Sequence, residues 1–375
     1  SDVSDGGSRV YIMTTPAHPA VPAAGRRASA APTDTPPADT PPAATASTDA
    51  GLTGPGGVGA PSPASPPAPP SPAAGSAAGP STPPAGATTP EGRPVAGSLS
   101  PSRAADFVNC PLRYRFRVID RLPEPPSEAA TRGTVVHAVL ERLFDLPPAR
   151  RTLAAAEELV EPAWADLRER EPQVATLFDT PEALQAWLDS ARELLAGYFA
   201  MEDPRRLAPA ARELYVEHVL DSGLRLRGYV DRLDEASTPQ GPALRIVDYK
   251  TGRSPGPAFE TSAMFQMRFY ALLLWRVRGV IPRELRLYYL GDRTWLRATP
   301  DESDLRATER RIEALWAAIT RAHRTGDWRA TPGRLCAWCD HKARCPAFGG
   351  TPPPLPDDAS ALPVDDEPTV CEADG

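Results

Sequence analysis

The first 97 residues contain a single aromatic side chain, Tyr11, yet hold 21 of the 47 prolines of this 375-residue chain. A segment so poor in bulky apolar groups cannot offset the entropy of ordering itself. Residues 1–97 are therefore expected to form a disordered tail, partly polyproline II. Residues 351–375 carry seven acids and no Lys or Arg, and are expected to be a second, acidic disordered tail. No run of about 18 apolar residues occurs, so no membrane-spanning helix is expected. The N-terminus lacks a basic stretch followed by an apolar one, which argues against a secretory signal and for a cytoplasmic location. No Gly-x4-Gly-Lys-Ser/Thr loop is present, so the chain has no ATP-driven motor of its own. Residues 1–12, ahead of Met13, read as upstream translation or a cloning remnant. Lysine is scarce and arginine abundant, as in a GC-rich bacterial genome.

What remains, residues 98–350, is long enough for one large domain with a substantial core. It carries 37 Lys/Arg against 35 Asp/Glu, although the whole chain has a net charge of −7. A nucleic-acid surface would have to arise from clustering of these charges rather than from their sum.

Ser100-Pro101 starts a helix that runs to about Asn109, with Ser100 as its cap. A second helix is expected from Gly133 to about Leu146, with Val136, Leu140, Leu143 and Phe144 on one face. Further helices are expected at about 152–170, 181–202, 262–279 and 301–324. Extended runs are expected at Glu213–Leu220, Leu224–Asp234, Ala243–Lys250, 284–291 and 294–298, with Glu235–Pro242 as a turn-rich loop. Helices enclosing strands in this order predict an α/β domain with a central mixed sheet.

Within this pattern four polar constellations stand out. They are Gly133-x3-His137-x3-Glu141, Gly228-x2-Asp231-Arg232-x-Asp234, Asp248-Tyr249-Lys250-Thr251-Gly252 and Gln266-x3-Tyr270. Singly, each is common by chance. Jointly, they put one acid on each of two adjacent strands, about 4.8 Å apart. Two such carboxylates can share a hard divalent cation, Mg²⁺ or Mn²⁺, and an imidazole ligand biases the site toward Mn²⁺. Lys250 follows the second acid at the strand mouth, the place to polarise a water for phosphodiester hydrolysis.

Over residues 98–348 these motifs resemble the RecB-like exonuclease family of the PD-(D/E)xK nuclease superfamily. The resemblance implies a restriction-endonuclease-like core and a DNA nuclease that uses a metal-activated water. Single-stranded or frayed ends, in DNA repair or recombination, would be its substrate, with any helicase or ATPase a separate partner. It further implies that His137, Asp231, Asp248 and the Tyr249 carbonyl hold the metal. Lys250 would position the water and stabilise developing charge, while Gln266 and Tyr270 orient Lys250 and contact the strand. Asp234 and Glu217 read as supporting acids or as surface salt-bridge partners. Two other readings stay open: a CRISPR-adaptation-type nuclease, and a non-catalytic DNA-binding or scaffold protein that keeps the fold.

Five cysteines are present. Cys336-x2-Cys339-x5-Cys345 is a cluster, Cys110 lies far upstream, and Cys371 sits in the acidic tail. Disulfides are not expected in a reducing cytosol. Three clustered thiols and one distant one suit zinc or [4Fe–4S], and spacing alone slightly favours zinc, with His341 as a substitute ligand. The resemblance reverses that preference. In the iron–sulfur branch of the family, which includes the AddB nuclease domain, one cysteine precedes the nuclease motifs and three follow them. It implies that Cys110, Cys336, Cys339 and Cys345 staple the domain through [4Fe–4S] and that Cys371 is a bystander. Arg103, Arg113/Tyr114/Arg115 and Trp338 are candidate DNA contacts, or else packed and solvated side chains.

Overall fold

The computed structural model describes residues 9–10, 96–256, 259–356 and 362. The expectations of disorder over 1–97 and 351–375, and of a bystander role for Cys371, lie almost wholly outside these residues. A two-residue strand β1 (Arg9–Val10) pairs with β3 (Ala211–Val219), and β2 (Gly97–Leu99) is an ordered strand.

The fold is a mixed α/β domain around one seven-stranded sheet, consistent with a restriction-endonuclease-like core. After β3 come β4 (Leu224–Thr238), β5 (Gly241–Lys250), β6 (Glu284–Tyr289) and β7 (Thr294–Ala298). Strand order is β1-β3-β4-β5-β6-β7. The β3-β4-β5 meander is antiparallel, β5 and β6 are parallel, and β2 lies parallel to the start of β4. The parallel β5–β6 pair needs a crossover, which α7 (Glu260–Arg278) supplies.

Helices cover both faces. Pro101–Asn109 (α1), α7 and α8 (Glu302–Thr325) pack on one face through Phe107, Leu272, Ile312 and Trp316 against Val216, Leu226, Ile246 and Leu287. After the short α2 (Pro111–Tyr114), helices α3 (Glu128–Leu143), α4 (Leu153–Glu158), α5 (Val160–Arg170) and α6 (Pro181–Met201) cover the other face. There Val136, Leu140, Trp164 and Leu195 meet Val247, Tyr249 and Tyr288. Burying Val, Leu or Phe side chains stabilises by about 1.5–3 kcal/mol each, so these two layers hold the sheet rigid beneath the polar motifs.

Three elements depart from the sequence expectation. Helix α3 begins five residues earlier than expected, because the Ser127 hydroxyl accepts the Ala130 amide and caps it. The 152–170 helix breaks into α4 and α5 at Leu159. The expected Glu235–Pro242 loop is mostly strand: pairing of β4 with β5 continues to Thr238 opposite Gly241 and leaves a two-residue turn. Gly241 takes φ 106° there, a conformation only glycine adopts without strain.

Candidate active site

Strands β4 and β5 diverge where the acids lie. Their pairing stops at Arg232 opposite Val247, and Asp248 to Lys250 pair only with β6. Asp231 fills the gap: its Oδ2 accepts the Tyr249 amide at 2.8 Å. That bond turns the Tyr249 carbonyl toward α3, where His137 Nε2 meets it at 2.9 Å. His137 Nδ1 lies 3.4 Å from Asp231 Oδ2. His137, Asp231 and the Tyr249 carbonyl are thus brought together.

A fourth group joins them that the sequence reading passed over. Glu213 on β3 offers a carboxylate oxygen within 4.8 Å of ligand atoms of both His137 and Asp231. Its φ of +42° is rare for a residue with a side chain. Around it strict alternation fails, since Ala211, Leu214 and Val216 all enter the same core. The strained backbone re-aims the strand and sets Glu213 beside Asp231; such strain concentrates at functional sites. Burial, then the charges of Asp231, Glu141 and Asp248, push Glu213 up to about 8. Burial and the Asp248 charge likewise raise Asp231. Clustered acids with raised values are what a cation would relieve, and carboxylates with one imidazole are a donor set that fits Mg²⁺ or Mn²⁺.

Asp248 is almost wholly buried and belongs to a second, linked cluster. Its Oδ2 lies 2.7 Å from Lys250 Nζ, and its Oδ1 accepts from Gln266 Nε2 at 2.9 Å. Gln266 Oε1 in turn accepts from Lys250 at 3.0 Å, and Gln266 Nε2 reaches the Tyr270 hydroxyl at 3.0 Å. Burial alone would lower Lys250, but the Asp248 carboxylate outweighs it and holds the ammonium charged. The i, i+4 spacing of Gln266 and Tyr270 on α7 lets Tyr270 brace the amide that bonds both Asp248 and Lys250. Gly228 is required nearby, because a Cβ there would lie 2.7 Å from the Tyr270 ring.

Behind the site Arg232 is 1 % exposed. It donates to Glu202 at 2.7 and 3.0 Å, to the Tyr249 hydroxyl at 2.6 Å and to Asp234 at 3.2 Å. Burial alone would raise Glu202, but the hydrogen bond and charge of Arg232 hold it below the usual range. Asp234 also binds Arg245, so it supports the site from behind. Glu217 lies elsewhere on β3 and accepts the Tyr215 hydroxyl.

Cys110, Cys336, Cys339 and Cys345 all line one apolar cavity of about 190 Å³. The Thr331 and Gly333 amides point at the Cys110 and Cys336 sulfurs, at 3.4 and 3.3 Å. His341 is buried on Phe116 and bonded to Glu124, and does not line the cavity. Of the candidate DNA contacts, Tyr114 is buried and stacked on Trp328, and Arg115 is buried against Asp120. Packing claims both, whereas Trp338 is 75 % exposed.

A family model described as the PD-(D/E)XK nuclease superfamily matches residues 98–346. The Gene 69 protein of Mycobacterium phage D29 is 26 % identical over 282 residues, covering 66 % of this chain and 96 % of the phage protein. That of Mycobacterium phage L5 is 30 % identical over 131 residues, covering 34 % of this chain and 41 % of the phage protein. A crystal structure of a proposed exonuclease from Eubacterium rectale aligns with a TM-score of 0.43 at 15 % identity, covering 65 % of this chain and 87 % of that one. Among the described residues no helix is long and apolar enough to cross a membrane.

Proposed function

The chain belongs to the PD-(D/E)XK nuclease superfamily, and from that premise we propose that it is a Mg²⁺- or Mn²⁺-dependent deoxyribonuclease of the RecB-like kind. It hydrolyses phosphodiester bonds at single-stranded or frayed DNA ends, in repair or recombination, on ends opened by a separate helicase. One observation carries this reading: a buried acid cluster with the donor set for a divalent cation lies beside a charged lysine where β4 and β5 part.

His137, Glu213, Asp231 and the Tyr249 carbonyl would hold the cation, with Asp248 as a further carboxylate ligand. A cation held there supplies Lewis-acid polarisation of a phosphoryl oxygen and a more acidic water. The protein does the rest. Asp231 fixes the Tyr249 carbonyl through the backbone bond. Lys250, kept protonated by Asp248, presents positive charge where the phosphate gains negative charge. Gln266, braced by Tyr270, holds that ammonium in one orientation.

The four cysteines, which line one cavity, would hold a [4Fe–4S] cluster as a staple, as the family resemblance implies, with structural zinc as the alternative. The test of the main reading is digestion of end-labelled single- and double-stranded DNA with Mg²⁺, Mn²⁺ or EDTA. Cleavage should require the metal and vanish in Asp248→Ala. Failure of the wild-type protein to cleave any DNA under either metal overturns the reading.

A further inference from the structure

Strand β4 is fifteen residues long, and its edge toward β5 is shared by two partners. Residues Leu224 to Leu226 pair with β2, and pairing with β5 begins only at Arg232. Between them, Arg227 to Asp231 face a break in the sheet. A cleft of about 600 Å³ opens at that break, inside the range of about 300–1,000 Å³ usual for ligand pockets. Lys250, Gln266 and Tyr270 line one wall, so the cleft is continuous with the catalytic cluster. Tyr229 and Arg227 line the other, and the hydroxyls of Ser100 and Ser102 border it.

Tyr229 stands out in this cleft. It is 46 % exposed although it lies in the middle of the sheet, two residues from Asp231. Its ring leans on that of Tyr215, with centroids 5.1 Å apart, so one neighbour props it while much of it stays open. Cavity-lining charges are Arg227 and Lys250, with no carboxylate among them. The nearby Glu217 carboxylate is engaged by the Tyr215 hydroxyl. An open aromatic ring, hydroxyl groups and two cations along the walls suit an anionic polymer with flat bases. Duplex bases are already stacked on one another, so a ring of this kind selects an unpaired base.

We infer that this cleft is a single-strand subsite, in which Tyr229 stacks on the base next to the scissile phosphate and Arg227 takes a neighbouring phosphate. The inference rests on the nuclease reading for its substrate and gives that substrate its strandedness. Tyr229 is then a positioning residue: it sets where the strand lies relative to Lys250 and takes no part in the chemistry.

The experiment measures binding and cleavage separately, on the full chain. Anisotropy of a labelled single strand in Ca²⁺ gives Kd, and Mn²⁺-driven cleavage gives KM and kcat, for wild type, Tyr229→Ala and Tyr229→Phe. Loss of one stacked base weakens binding by about tenfold or more. Tyr229→Ala should raise Kd and KM for single strands by that factor, with the loss on KM rather than kcat, and Tyr229→Phe should restore both. A single abasic residue walked along the oligonucleotide should cost wild type the same factor at one position next to the cut. It should cost Tyr229→Ala nothing further there, as for two partners of one contact. If Tyr229→Ala binds and cleaves single strands like wild type, the subsite is wrong while the nuclease reading stands. If wild type cleaves nothing, the nuclease reading fails, and the binding arm still decides the subsite.

Discussion

Lys250 meets two opposed demands. Its neighbours half-bury it, which disfavours an ammonium, and Asp248 at 2.7 Å restores the charge. Removing either member should therefore act differently. Lys250→Ala should lose about 10²–10³ in cleavage rate, the usual cost of one charge-stabilising group, yet still show a rise in melting temperature with Mn²⁺. Asp248→Ala should be inactive and show a smaller rise. Wild-type turnover in Lys250→Ala would remove it from the reaction. Glu213 gives a pH test. Its value rises from the usual 4.5 to about 8 in the folded, metal-free protein. The folded state then prefers the protonated acid, so its contribution is whole below about pH 4.5 and is lost as pH climbs through about 8. Asp231, also raised, acts in the same direction. A divalent cation needs both ionised and cancels the loss. Melting curves between about pH 5 and 8.5 should show metal-free stability falling and the Mn²⁺-induced rise growing. Glu213→Gln should flatten the fall; a metal-induced rise that ignores pH would refute the placement. Both lysines of the chain, Lys250 and Lys342, end an Asp-x-Lys, and the sequence exposed Lys250 because its Asp-x-Lys alone follows a strand-like run, Leu244 to Val247. It hid Glu213, whose role depends on a positive φ and on which strand lies opposite.

A polar layer behind the site ties elements together alongside the two apolar cores. Glu202, just past the end of α6, joins Arg232 of β4 and the Tyr288 hydroxyl of β6. Glu202→Ala should strand a buried guanidinium and cost about 3–5 kcal/mol, measured by denaturant unfolding. A loss below about 1 kcal/mol would mean that Tyr249 and Asp234 suffice as partners for Arg232. Helix and strand periodicity made most elements legible, and the Ser100 and Asp301 caps fix the starts of α1 and α8. Glu235–Pro242 misled because Ser237, Thr238, Pro239 and Gly241 are turn formers. Cross-strand pairing with β5 overrode their local preference. Glu202 was invisible for a simpler reason: it is 30 residues from Arg232 and 86 from Tyr288, and no motif spans those distances.

At the scale of the whole molecule, the cysteines connect the two ends of the domain. Cys110 follows α1, and Cys336, Cys339 and Cys345 follow α8, yet all four line one cavity. The chain between Cys110 and Cys336 runs for more than two hundred residues and includes strands β3 to β7 and the entire acid cluster. Closing so long a loop removes much entropy from the unfolded chain, so a cluster held there stabilises every element inside it. The spacing of the thiols alone slightly favours zinc, the family resemblance implies iron–sulfur, and metal analysis decides between them. Protein purified without oxygen should be brown, with about four irons per chain for a cubane cluster. Cys110→Ser or Cys339→Ser should lose the colour and lower the melting temperature of the whole domain in one transition. Cys371→Ser should do neither. The site is a separate readout, because none of the cysteines lines the acid cluster or the Tyr229 cleft. Cleavage by the cysteine variants should fail at the temperature where they melt, and should persist below it. Colourless wild-type protein with one zinc would replace the cluster and keep the staple. Full stability in Cys110→Ser would remove the staple, and α1 would then be held by the packing of Phe107 on Tyr114 and Trp328 and by the ion pairs of Asp106.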